Sequence, residues 1–258
     1  MFSAYLPAVK KDIVFVVDII FIVYYIFTVD YKKEKMKMTG KEYSLREKKH
    51  ARTKIALMNA FTGRLRNSRF EDISIKEVCK SVEVSEGTFF NYFPEKIDVI
   101  TYYVNLMTMK VIWKARQKAP NGKYIALINA FFKELADEFA KINIKYEIIS
   151  IIVVQHEKPK KAAISDIEKH LVFPDLAGIE DISPLLIDEF FRECMEEALK
   201  NGELPGSVNI DNAMVSLMTI MVGTMIAVKF SDIKNIKYQY IRQLQILWTE
   251  LGIKKLKG

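Results

Sequence analysis

The chain has 258 residues, two cysteines and a net charge of +7, and half of its residues are apolar. That composition excludes a disordered chain and a disulfide scaffold, and the scarcity of Gly (10) and Pro (7) argues against turn-rich β folds and loop-rich α/β folds, which leaves helices. The excess charge sits in one stretch: residues 41–118 hold 16 basic and 9 acidic side chains (+7), whereas residues 1–40 carry +2 and residues 119–258 carry −2. A basic part beside a mildly acidic one fits a polyanion-binding unit joined to a unit with another task.

Residues 1–40 form a hydrophobic N-terminal extension. Residues 13–29 are 17 residues with one charge, Asp18, and lysines on both flanks. Three readings stand: a membrane segment at the lower length limit for a spanning helix, a docked helix, or translated sequence upstream of a start at Met36 or Met38. From Ser44 a helical period takes over. Ala51, Ile55, Met58, Phe61 and Leu65 recur at steps of 3 and 4 and share one face. The opposite face carries Arg46, Lys48, Lys49, Arg52, Lys54, Arg64 and Arg66.

Ser74 followed by Glu77 is a capping box, which predicts a short helix over 75–81. A tight turn over 82–85 follows, Ser85 caps a third helix over 86–92, and Pro94 ends it. A long helix runs from Lys96 to about residue 117. Pro120-Asn121-Gly122 is the clearest boundary in the chain. Beyond it, helical segments are predicted over 123–155, 160–172, 184–200, 211–230 and 237–251, with no sustained strand pattern. The expected fold class is all-α: an N-terminal helix-turn-helix domain of three helices over 44–110, then a helical ligand-binding and dimerisation domain over 119–258.

Two short helices joined by a four-residue turn after a basic helix describe a helix-turn-helix. Val84, Ser85, Gly87, Thr88, Phe89, Phe90, Tyr92, Phe93 and Lys96 stand in the order of the DNA-binding motif of the tetracycline-repressor (TetR) family, which residues 44–110 resemble. One departure is Phe90, where the family more often has Tyr, so a phosphate-contacting hydroxyl is missing. Cys79 stands at a usual Ala position and reads as a small buried residue.

The resemblance implies a cytoplasmic, homodimeric, ligand-responsive regulator, most often a repressor, bound to a palindromic double-stranded DNA operator. The DNA-binding residues it points to are Ser74, Lys76, Ser85, Glu86, Gly87, Thr88, Asn91, Tyr92 and Lys96. Gly87 allows close approach to DNA, and Thr88, Tyr92, Lys96 and Ser74 suit phosphates. Asn91 is the best base reader, because its amide pairs bidentately with adenine. Lys76, Ser85 and Glu86 face the same groove. The last two helices would form a four-helix interface with a second subunit, through Met214, Met218, Met221 and Met225 on one and Ile241, Leu244 and Trp248 on the other. Phe131, Phe132, Phe139, Tyr146 and Phe190 are expected to line a pocket for a small, mainly apolar inducer. Lys133, Lys145, His170 and Arg192 are candidates for its polar end. A membrane-anchored sensor carrying the same module through residues 13–29 is the alternative.

No HExxH, GxGxxG, GxxxxGK or GxSxG motif occurs, so nothing supports an enzyme. No cofactor is implied. Asp166 with His170, and His156 beside Glu157, are two-residue pairs that read as solvated helix faces rather than a metal site.

Overall fold

The computed structural model describes residues 43–155, 160–231 and 235–253. The extension over 1–40, with the readings of residues 13–29, lies outside them, as do His156 and Glu157. The described residues hold ten α-helices and no strand: α1 (Leu45–Arg64), α2 (Ile75–Ser81), α3 (Glu86–Tyr92), α4 (Lys96–Lys118), α5 (Tyr124–Lys141), α6 (Lys145–Val153), α7 (Asp166–Val172), α8 (Ile187–Lys200), α9 (Ile210–Lys229) and α10 (Ile236–Glu250). From Arg46 onward they form one compact unit around a continuous apolar core.

The helix starts are chemical. Ser74, Ser85, Asn209 and Asn235 each accept a hydrogen bond from a backbone N–H in the first turn of α2, α3, α9 and α10. At α5 the cap comes from a distant segment: the Glu203 carboxylate accepts from the backbone N–H of Tyr124 at 2.9 Å and of Ile125 at 3.3 Å. The preceding residue, Gly202, has φ +71°, a left-handed turn that glycine adopts without strain.

Two expected helices are shorter than predicted. The run over 123–155 breaks between Lys141 and Lys145 into α5 and α6. Asn143 is the only weak helix former at the break, and no Gly or Pro marks it. The run over 160–172 contributes only α7, from Asp166. There the Ser165 N–H donates to Glu168 Oε2 at 2.7 Å and fixes a cap. The residues just before it find side-chain partners instead of helical ones: the Ala162 N–H donates to Asn105 Oδ1 at 3.4 Å, and the Ala163 carbonyl accepts from Lys54 Nζ at 2.7 Å.

Lys54 itself departs from the predicted solvent face of α1. It is buried, lies 3.1 Å from the buried Glu168 carboxylate, and stands 4.2 Å above the Tyr102 ring. Its partners belong to α4, α7 and the segment before α7, so α1 is tied to the rest of the unit by a buried cation.

α4 and α5 pack along a second polar seam. Glu138 on α5 takes the ammonium groups of Lys110 and Lys114, each at 2.7 Å, and of Lys141 at 3.0 Å, while Lys118 pairs with Glu134. Both carboxylates are buried. Burial opposes ionisation of Glu138, but the three lysines outweigh it and hold the carboxyl at about 2. On the other side of α5, Phe132 stacks on Phe191 (centroids 5.4 Å apart, planes 3° apart) and Trp248 Nε1 donates to Asn129 Oδ1 at 2.9 Å, which pins α8 and α10 to α5.

Candidate nucleic-acid interface and cavity

The helix-turn-helix is built from local sequence. Val78, Cys79, Phe89 and Phe93 are buried between α1, α2, α3 and α4, and Val82 packs half-buried beside them. The turn closes through the N–H groups of Val82 and Val84, which both donate to the Cys79 carbonyl at 3.2 and 3.0 Å. Glu83 takes the left-handed conformation, φ +58°, that lets the chain reverse over so few residues. Burial raises the Cys79 thiol pKa, as expected for a packing residue.

With Phe89 and Phe93 inward, α3 turns Glu86, Gly87, Phe90 and Asn91 to solvent, and Lys76 is exposed on α2. Phe90 is 46% exposed, a large apolar side chain on an otherwise polar face. Gly87 is the most telling position. Its φ is not positive, and a Cβ there would meet nothing closer than Ser85 Oγ at 3.8 Å. Nothing inside the chain demands glycine at 87.

The hydroxyl residues are already organised. Ser74 Oγ accepts from the Glu77 N–H at 3.4 Å, and Ser85 Oγ accepts from the Thr88 N–H at 3.1 Å. Ser85 and Thr88 also share a hydroxyl–hydroxyl bond of 2.9 Å. Tyr92 is half-buried, with its ring 4.6 Å from that of His50 on α1. Lys96 donates to the Glu71 carbonyl at 2.9 Å and lies over the Phe70 ring, and partial burial lowers its pKa. Lys96 therefore also clamps the loop that leads into α2. Sequence reasoning placed no role on His50; only packing of α1 on the end of α3 reveals it. Beside His50, Lys49 and Arg52 add exposed positive charge.

Behind this surface lies a cavity of about 740 Å³, walled by α4, α5, α6 and α9. Its lining includes Val104, Leu135, Ile148, Ile152, Met221 and Met225, and it extends to Glu95, Ile97 and Asp98 at the start of α4, three residues beyond the end of α3. Of the expected pocket aromatics, Phe131 and Phe139 line it. Phe132 and Phe190 do not: they are buried in an aromatic cluster with Phe131, Phe191 and Tyr240. Tyr146 stands behind Phe139, edge to face at 5.7 Å. Of the four candidates for a polar end, only Lys145 reaches the cavity. Lys133 is exposed, Arg192 is bound to Asp211 at 2.8 Å, and His170 faces Glu180 at 3.8 Å. Asp166 faces Lys169 at 3.3 Å rather than His170.

The methionine stripe faces the interior of the chain. Met214, Met221 and Met225 are buried inside this chain, and Met218, Met221 and Met225 line the cavity. Leu244 and Trp248 are buried as well, and Ile241 is half-buried. The outward side of α9 instead presents Val215, Thr219, Gly223, Ile226, Ala227 and Phe230, continued on α10 by Tyr238 and Ile246. α9 is apolar on two sides, and spacing alone does not tell which side faces in.

No protein-family model matches the chain, and no curated protein matches it significantly. Solved structures do match in fold. The TetR-family repressor FadR of Thermus thermophilus, in complex with lauroyl-CoA, has a TM-score of 0.55 at 15% identity over 80% of this chain and 98% of its own. The TetR regulator TylP of Streptomyces fradiae gives 0.52 at 14% identity over 80% and 82%. SmeT in complex with triclosan gives 0.51 at 12% over 80% and 96%. The chain thus has the all-α fold of the TetR-family transcriptional regulators, as the motif over 84–96 led us to expect.

Proposed function

We propose that the chain is a DNA-binding transcriptional regulator, a homodimeric repressor that leaves a near-palindromic operator when a small, mainly apolar molecule fills its cavity. The observation that carries this reading is the outward face of α3. Glu86, Gly87, Phe90 and Asn91 are exposed there, and the glycine has no task in its own fold. Asn91 reads adenine, and Phe90 offers an apolar contact to a thymine methyl. Ser74, Lys76, Ser85, Thr88, Tyr92 and Lys96, with Lys49 and Arg52, bind the phosphates on either side.

The apolar outward stripe of α9 and α10 pairs two copies and sets their α3 helices one duplex turn apart, roughly 34–36 Å. Control follows from the reach of the cavity to the first turn of α4. A ligand that favours a displaced α4 misplaces α3 and releases DNA, because a ligand shifts an equilibrium only by its differential affinity for the two states. Solved structures of this fold hold lauroyl-CoA and triclosan, and the acyl chain of the one and the aromatic rings of the other support the apolar reading of the ligand.

Selection of binding sites from random duplexes tests the proposal. The expected product is an inverted repeat bound by two chains, with an affinity that falls steeply with salt. Enrichment of no sequence would overturn it.

A further inference from the structure

Resting on that regulatory reading, we propose that the cavity takes an amphiphile with an anionic head, carboxylate or phosphate, and that Lys145 and Lys229 hold the head beside Tyr146. Lys145 Nζ lies 5.7 Å and Lys229 Nζ 4.7 Å from the centre of the Tyr146 ring. Lys145 also stands 5.4 Å from the ring of Phe139, and both Lys145 and Phe139 line the cavity. Lys229 follows the cavity residue Met225 by one helical turn on α9.

Neither ammonium has a carboxylate partner among the described residues. The lysines of the neighbouring α4–α5 seam differ, since Lys110, Lys114 and Lys141 share Glu138. Two cations with no carboxylate partner among the described residues, beside one aromatic ring, repel a cationic head, gain little from a neutral one, and attract an anion. An ammonium over a ring face keeps N–H donors for that anion.

Solvent access has the right gradient for such a ligand. Lys229 is exposed, Lys145 and Tyr146 are half-buried, and Met221 and Met225 beyond them are buried. The head stays partly hydrated while the chain enters an apolar space, so the charge is never fully desolvated.

Calorimetric titration of the full chain with dodecanoate, dodecyl phosphate, 1-dodecanol and dodecyltrimethylammonium, each below its micellar concentration, tests this. At least one anion should bind tenfold or more tighter than dodecanol, with the cation weakest, and the ratio of the two anions tells carboxylate from phosphate. The double variant Lys145→Gln/Lys229→Gln, checked for an unchanged thermal melt, should lose the anion preference and keep dodecanol binding. Single Lys145→Gln serves if the double variant unfolds. Equal binding of dodecanol and both anions, a preference that survives the substitutions, or no binding of any of the four would overturn the proposal. Regulation is read separately, by release of a selected duplex. Release by dodecanol as strong as by the anions would sink the head-group site and leave ligand control standing. A chain that binds no duplex at all would sink the regulatory reading whatever the cavity holds.

Discussion

Lys54 and Glu168, 114 positions apart in the chain, meet at 3.1 Å in the interior and join α1, the basic helix that precedes the helix-turn-helix, to α7. Removing one partner of a buried pair leaves an uncompensated charge, which costs about 3–5 kcal/mol. Lys54→Met should therefore lose that much in urea unfolding at pH 7. The double variant Lys54→Met/Glu168→Gln should recover part of it, because the amide still accepts from the Ser165 N–H. A single variant as stable as the parent would mean that the pair does not hold α1 in place.

Gly87→Ala separates folding from DNA reading. The added methyl has room in the chain, and alanine in a helix is more favourable than glycine by about 0.5–1 kcal/mol. The variant should melt at or above the parent temperature while its operator affinity falls. A drop in stability with full DNA binding would reverse the assignment of that face.

The pairing of copies is tested on the outward side of α9. Ile226 is 40% exposed in the single chain, so Ile226→Glu leaves the fold of one chain intact and buries two charges in the proposed seam. Light scattering should give a monomer with unchanged helical content. Met218→Glu should act differently, by placing the charge in the cavity lining. A dimer that survives Ile226→Glu would move the interface elsewhere.

Glu138 sets a pH window. Its folded value, about 2, lies below the ordinary 4.5, so the contribution of its three lysine partners is complete above pH 4.5 and is lost as pH falls toward 2. Glu138→Gln should lower the melting temperature at pH 7 and show a shrinking difference from the parent between pH 4.5 and 2. A constant difference over that window would remove Glu138 from the account.

What could be read in advance followed the range of the interactions. Ser74, Ser85, Phe89 and Phe93 act on neighbours a few positions away, so capping placed α2 and α3, while Asn91 was singled out by what the family resemblance implies. The face of α1 was legible for the same reason, except at Lys54, whose partners at Ala163 and Glu168 are more than a hundred positions distant. α9 was legible as a helix but not in its orientation, because both Met221 and Ile226 sit on apolar sides and only the packing of α8 and α10 chooses between them. The break after Lys141 left no mark, since Ile142 and Ile144 continue the apolar run. Phe132 and Phe190 looked like pocket residues because an aromatic cluster and a pocket wall have the same composition.

The reading of DNA by α3 is tested most directly by one measurement: the affinities of the parent and of Asn91→Ala for the selected duplex and for duplexes substituted at each base pair in turn. The account predicts that the parent discriminates, and that the variant loses about 1–3 kcal/mol at one base pair of each half-site while holding the others. An unchanged discrimination profile in Asn91→Ala, or a parent that binds every duplex equally, would contradict it.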